Sequence, residues 1–119
     1  MRDITGERLS FSEYQYKAAK TAVYPDRGTV RGIEYCALGA CGEGGEIANK
    51  VKKIFRDDGL VLTPARKEMI RAEIGGSLWY LSQLCFELDT TLESCAEENL
   101  AELASRSSRG TLHGDGDNR

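Results

Sequence analysis

Three glutamates, Glu43, Glu46 and Glu73, are the residues of this 119-residue chain whose type and spacing best suit chemistry. Glu43 and Glu46 are three apart, so on a helix they lie about 60° from each other and one turn along. Glu43 falls at the edge of an apolar face formed by Ile33, Cys36, Ala40, Ile47, Val51 and Ile54. Glu73 borders a second stripe, Ile70, Ile74, Leu81, Cys85 and Leu88, in the same way. Carboxylates at the core edges of two helices that pack together are costly unless they are neutralised. A hard divalent cation held by oxygen ligands neutralises them; the alternative is that they reach solvent or pair with Lys50, Lys53 or Arg71. Gly42, Gly44 and Gly45 surround the first two acids, and Gly75 and Gly76 follow the third. Each glycine costs a helix interior up to about 1 kcal/mol relative to Ala. Two softened helix centres beside inward acids therefore read as a place where another backbone or a ligand approaches closely.

The elements that must position these acids are four amphipathic helices. Ser10-Phe-Ser-Glu13 is a capping box, flanked by Leu9 and Tyr14 as a staple. It predicts a helix from about Phe11 to Val23, broken by Tyr24-Pro25-Asp26-Arg27-Gly28. A second helix is expected over Gly32 to Asp57. Thr63-Pro64, an N-cap with Pro at the first helical position, opens a third helix to about Leu88. Thr90-Thr-Leu-Glu93 reads as a second capping box and starts a fourth, fading near Arg106. Residues Ser107 to Arg119 form a Gly-rich tail, either flexible or a flap. Short connections between such helices argue for an all-α four-helix bundle in one domain spanning 1–119.

Composition narrows the function classes. Net charge is −3 and the pI about 5.2, so a basic nucleic-acid-binding surface is not expected. No run of 18 apolar residues crosses a membrane, and the N-terminus carries no secretory segment. Cys36, Cys41, Cys85 and Cys95 lack C-x-x-C spacing and read as reduced thiols of a cytoplasmic protein. The lone His113 lies in the tail, which argues against a histidine-based triad or zinc centre, and no E-x-x-H supports a di-iron bundle.

The ordered pieces Ala37-Leu-Gly-Ala-Cys-Gly-Glu43-Gly-Gly-Glu46-Ile-Ala-Asn-Lys50-Val-Lys-Lys53, Glu73-Ile-Gly-Gly-Ser-Leu-Trp79-Tyr80-Leu, Asn99 and the tail from Arg109 resemble the MazG-like all-α nucleoside triphosphate pyrophosphohydrolases. The resemblance runs over nearly the whole chain from Tyr14. It implies hydrolysis of a (deoxy)nucleoside triphosphate to monophosphate and pyrophosphate with Mg²⁺, or Mn²⁺, held by an E-x-x-E and a later E-x-x-D pair. Glu43 and Glu46 match the first pair, and Glu73 opens the second. The family's Asp is Gly76 here, so Asn99, Asp115 or Asp117 would have to replace it, or the chain is a non-catalytic nucleotide-binding or structural relative. The resemblance also implies a homodimer or homotetramer whose site forms where subunits meet.

On this reading Glu43, Glu46 and Glu73 are metal ligands, and Glu46 also orients the attacking water. Lys50 and Lys53 share the wheel sector of Glu46 and, with Asn99, would meet substrate phosphates; their other reading is a solvated face. Trp79 and Tyr80 read as core or subunit interface rather than as base-stacking platforms.

Overall fold

Each helix begins where a side-chain oxygen caps it. In the computed structural model, which describes residues 8–119, the helices are α1 (Phe11–Ala18), α2 (Val30–Arg56), α3 (Pro64–Glu87) and α4 (Leu92–Arg109). Ser10 Oγ accepts from the Glu13 amide at 3.1 Å while Glu13 accepts from the Ser10 amide at 3.3 Å, completing the expected box. Thr63 Oγ1 accepts from the Arg66 amide at 3.1 Å, with Pro64 opening the helix. Among the described residues there is no helix long and apolar enough to cross a membrane.

Four boundaries differ from expectation, each for a local reason. The first helix stops at Ala18 and continues as a 3-10 turn over Ala19–Thr21, where the Thr21 hydroxyl donates back to the Ala18 carbonyl. α2 starts at Val30 because Thr29 caps it. The α4 cap is Thr91 rather than Thr90, whose amide is engaged by the Cys85 carbonyl at 2.9 Å. α4 runs on to Arg109 and ends at Gly110, whose positive φ of 71° closes the helix. Beyond it the tail folds back on the same helix end, where Arg106 and Arg109 donate to the carbonyls of Asp117 and Arg119 at 2.7 and 3.1 Å.

α2 and α3 pair along their lengths as an antiparallel hairpin, and α1 and α4 dock on α3 and on each other. The hairpin interlocks through glycines. The Tyr80 ring covers Gly39 and the Glu87 carboxylate covers Gly32, each so closely that a Cβ would overlap it. One step further along, Glu43 lies over Gly76, where a Cβ would stand 2.8 Å from its carboxyl carbon. Gly32 and Gly39 are seven apart, as are Tyr80 and Glu87, so one register satisfies both seats. Glu87 also ties down the connection before α2: it accepts from the Tyr24 hydroxyl at 2.5 Å and from the Gly28 amide at 3.0 and 3.1 Å.

This register corrects the expected core. α3 turns Glu73, Gly76, Tyr80, Gln83 and Glu87 toward α2, while Ile74, Leu81 and Leu88 are 54%, 44% and 55% exposed. Two helices approach most closely on their smallest residues, and these lie on the polar side of α3. Leu38, Phe55, Met69 and Leu100 are exposed as well, and the residues nearly sealed from solvent are Cys36, Ser82 and Gln83. The radius of gyration, 17.2 Å, exceeds the ~13.5 Å of a compact domain of this length.

Gly39→Ala should destabilise the chain by about 1–3 kcal/mol, since the Tyr80 ring is packed against Tyr35 and Trp79 and has no room to give. Gly75→Ala, with nothing within 4 Å of the added methyl, should be neutral or stabilising by up to about 1 kcal/mol. Urea denaturation of both variants checks the difference; equal effects would contradict the interlock.

Candidate functional site

The acids lie where the interlocked register carries them. With Tyr80 seated on Gly39, Glu43 is one turn further along α2, and Gly76 and Glu73 are the next residues back along the facing side of α3. Glu43 and Glu73, from different helices, thus meet at the middle of the hairpin. Glu73, within hydrogen-bonding reach, holds the Glu43 carboxyl above the ordinary carboxylate range, and burial and the charges of Glu73 and Glu46 add to the effect. Gly76 lets this happen: the missing side chain leaves the hollow in which the Glu43 carboxylate rests.

Lys50 completes the cluster. Its ammonium lies 3.4 Å from Glu46 and 3.7 Å from Glu73, and the Lys50 side chain is only 22% exposed. The alternative weighed from sequence, in which the acids pair with Lys50, is therefore realised for two of the three. Glu46 is half-exposed on the outer side of this pair. Lys53 sits in the last turn of α2, where its charge acts on Asp57. Asn99 is exposed on α4 and has no hydrogen bond among the described residues to the acids. The structure thus gathers Glu43, Glu46, Glu73 and Lys50, and leaves Lys53 and Asn99 apart from them. Among the described residues no three His, Cys, Asp or Glu side chains stand close enough together to hold a metal ion.

The three acids offer oxygen donors, the ligand type that hard divalent cations take. Glu43, its proton affinity raised, faces Glu73, and Glu46 lies one turn along α2 from Glu43. An Asp at position 76 would have to displace the Glu43 carboxylate, which is the free end of a flexible side chain.

Sequence reasoning missed two participants. Tyr80 borders the acids: burial, then Tyr35, and then the charge of Glu43 raise its hydroxyl above the ordinary tyrosine value. Glu87 fixes the register from the far end of α3. The shared seven-residue spacing of Gly32 with Gly39 and of Tyr80 with Glu87 was the signal for both.

No protein-family profile matches the chain, and no solved structure does. It is similar to the Gene 37 protein of Mycobacterium phage L5, with 45% identity over 109 residues that cover 89% of this chain and 96% of that protein.

The raised Glu43 carboxyl sets a pH dependence. Unfolded, it titrates at its ordinary value near 4.5; folded, it keeps its proton to higher pH. Between those values the folded state binds more protons, so stability falls as pH rises through that window. In urea melts with a chelator present, the parent should lose stability from about pH 4.5 upward relative to Glu43→Gln. Superimposable pH profiles would contradict the raised proton affinity of Glu43.

Proposed function

We propose that this chain, which belongs to the same family as the Gene 37 protein of Mycobacterium phage L5, is a metal-dependent nucleoside triphosphate pyrophosphohydrolase of the MazG-like all-α type. The observation that carries the reading is the meeting of Glu43 and Glu73 across α2 and α3, with Glu46 and Lys50 beside them. These are the positions that the resemblance to that enzyme type assigns to its acids.

Glu43, Glu46 and Glu73 would hold Mg²⁺ or Mn²⁺. Bound there, the ion would neutralise triphosphate charge and lower the pKa of the attacking water. Glu46, the most exposed of the three, would orient that water toward the α-phosphorus. Lys50, released from Glu46 and Glu73, would meet phosphate oxygens. Lys53, one turn further along the helix, and Asn99 would meet the substrate only through rearrangement or from a second copy of the chain. The products are the nucleoside monophosphate and pyrophosphate.

The assembly we propose is a homodimer or homotetramer, in which hairpins from two copies complete a four-helix core. Its support is the exposed stripe of Ile74, Leu81 and Leu88 together with Leu38 and Phe55, more apolar surface than a stable monomer leaves uncovered.

A second reading, a non-catalytic helical oligomer, has one specific observation in its favour. Lys50 already neutralises Glu46 and Glu73, and Gly76 supplies no fourth acid.

A panel of (d)NTPs with Mg²⁺ or Mn²⁺ separates the two. The enzyme reading expects monophosphate and pyrophosphate from at least one substrate, and a loss of about 10²–10³-fold on Glu73→Gln, the scale of removing one transition-state-stabilising group. No turnover on any substrate, or turnover unchanged by Glu73→Gln, favours the second reading. Light scattering at micromolar concentration should give two or four chains; a stable monomer would overturn the assembly.

A further inference from the structure

At the joint between α3 and α4 two thiols face each other. Cys85 Sγ and Cys95 Sγ are 3.9 Å apart, the first nearly buried in the last turns of α3 and the second exposed near the start of α4. The connection between them is short and firmly held. The Cys85 carbonyl accepts from the amides of Leu88 and Thr90 at 3.2 and 2.9 Å, and the Cys95 amide donates to the Thr91 carbonyl at 3.1 Å. Asp89 takes the left-handed conformation the turn requires, with φ of 54°. The two sulfurs therefore stay opposed rather than meeting by chance. Closing to a bonded distance takes about 1.9 Å of combined travel, within the reach of side-chain rotation and a small shift of the helix ends.

We propose that Cys85 and Cys95 are a redox-modification site, which closes to an intrachain disulfide on mild oxidation and fixes the root of α4 to α3. Cys95, the exposed partner, acts first: its thiolate attacks a small-molecule disulfide, forms a mixed disulfide and expels one thiolate. Cys85 then gives up its proton to solvent and attacks the Cys95 sulfur, expelling the second thiolate. Two protein thiols are oxidised and one small-molecule disulfide is reduced to two thiols, so electrons and protons balance. Burial, with Cys95 adding, pushes the Cys85 thiol up to about 11, which makes it the resolving rather than the attacking partner. The link would add a covalent tie to a helix otherwise held at its start by polar contacts. Gln15 accepts from the Leu92 amide at 2.8 Å and donates to the Thr90 carbonyl at 3.2 Å, and Ser12 pairs with Glu93.

The test uses the full chain carrying Cys41→Ser, which removes the other exposed thiol, treated with oxidised glutathione under native conditions. We expect the thiol titre after denaturation to fall from three per chain to one, with no retained glutathione. A non-reduced digest should join the Cys85 and Cys95 peptides, and the melting temperature should rise by several degrees and return with dithiothreitol. Adding Cys95→Ser, a surface change, should leave the two remaining thiols free. Glutathione retained on Cys95, a chain-to-chain disulfide, or thiol loss in the Cys95→Ser variant would each overturn the proposal.

Discussion

The pairing of α2 with α3, and with it the candidate site, is positioned by side chains seated on glycines between the two helices. Tyr80 on Gly39 and Glu87 on Gly32 admit one register, because a slip of one residue turns each side chain about 100° away from its hollow. That register carries Glu43 onto Gly76 and beside Glu73. The glycines are expensive in a helix interior, and here the cost is met by close helix approach. Glu43, with its proton affinity raised beside Glu73, is thus held in place by contacts about one and three turns away.

Much of this was legible in the residues. Ser10 and Thr63 announce two helix starts outright, and the three acids with their glycines mark the middle of the hairpin. The face of α3 was not legible. Ile74, Leu81 and Leu88 form as good an apolar stripe as any buried one, but a helical wheel gives periodicity and not the identity of the neighbour. The glycine spacing held the missing information, since Gly32 and Gly39 can be filled only by residues seven apart on the facing helix. Thr90 and Thr91 are chemically equivalent caps, and only the turn after α3, which engages the Thr90 amide, decides between them. The positions of Lys53 and Asn99 follow from where the helices go, which their residue types do not encode.

The proposed function asks for two settings of the charge arrangement at the hairpin centre. In the one described here Lys50 bridges Glu46 and Glu73, while Glu43 keeps raised proton affinity. In the other, which the proposed function requires, a divalent cation would take the place of the ammonium, and Lys50 would be freed toward solvent or phosphate. In the first, Lys50 neutralises Glu46 and Glu73, while Glu43 rests on Gly76. The second would gather three carboxylates on one ion. Gly76 is central to both, since it gives Glu43 room to rest and withholds a fourth ligand.

That Glu43 and Glu73 are halves of one cation site is the proposal that Mn²⁺ binding to the metal-free chain, followed by electron paramagnetic resonance, tests most directly. The account predicts saturable binding of Mn²⁺ by the parent chain, lost in both Glu43→Gln and Glu73→Gln and strengthened in Lys50→Gln, where the competing ammonium is gone. Absence of binding by the parent, or binding that either glutamate substitution leaves unchanged, would contradict it.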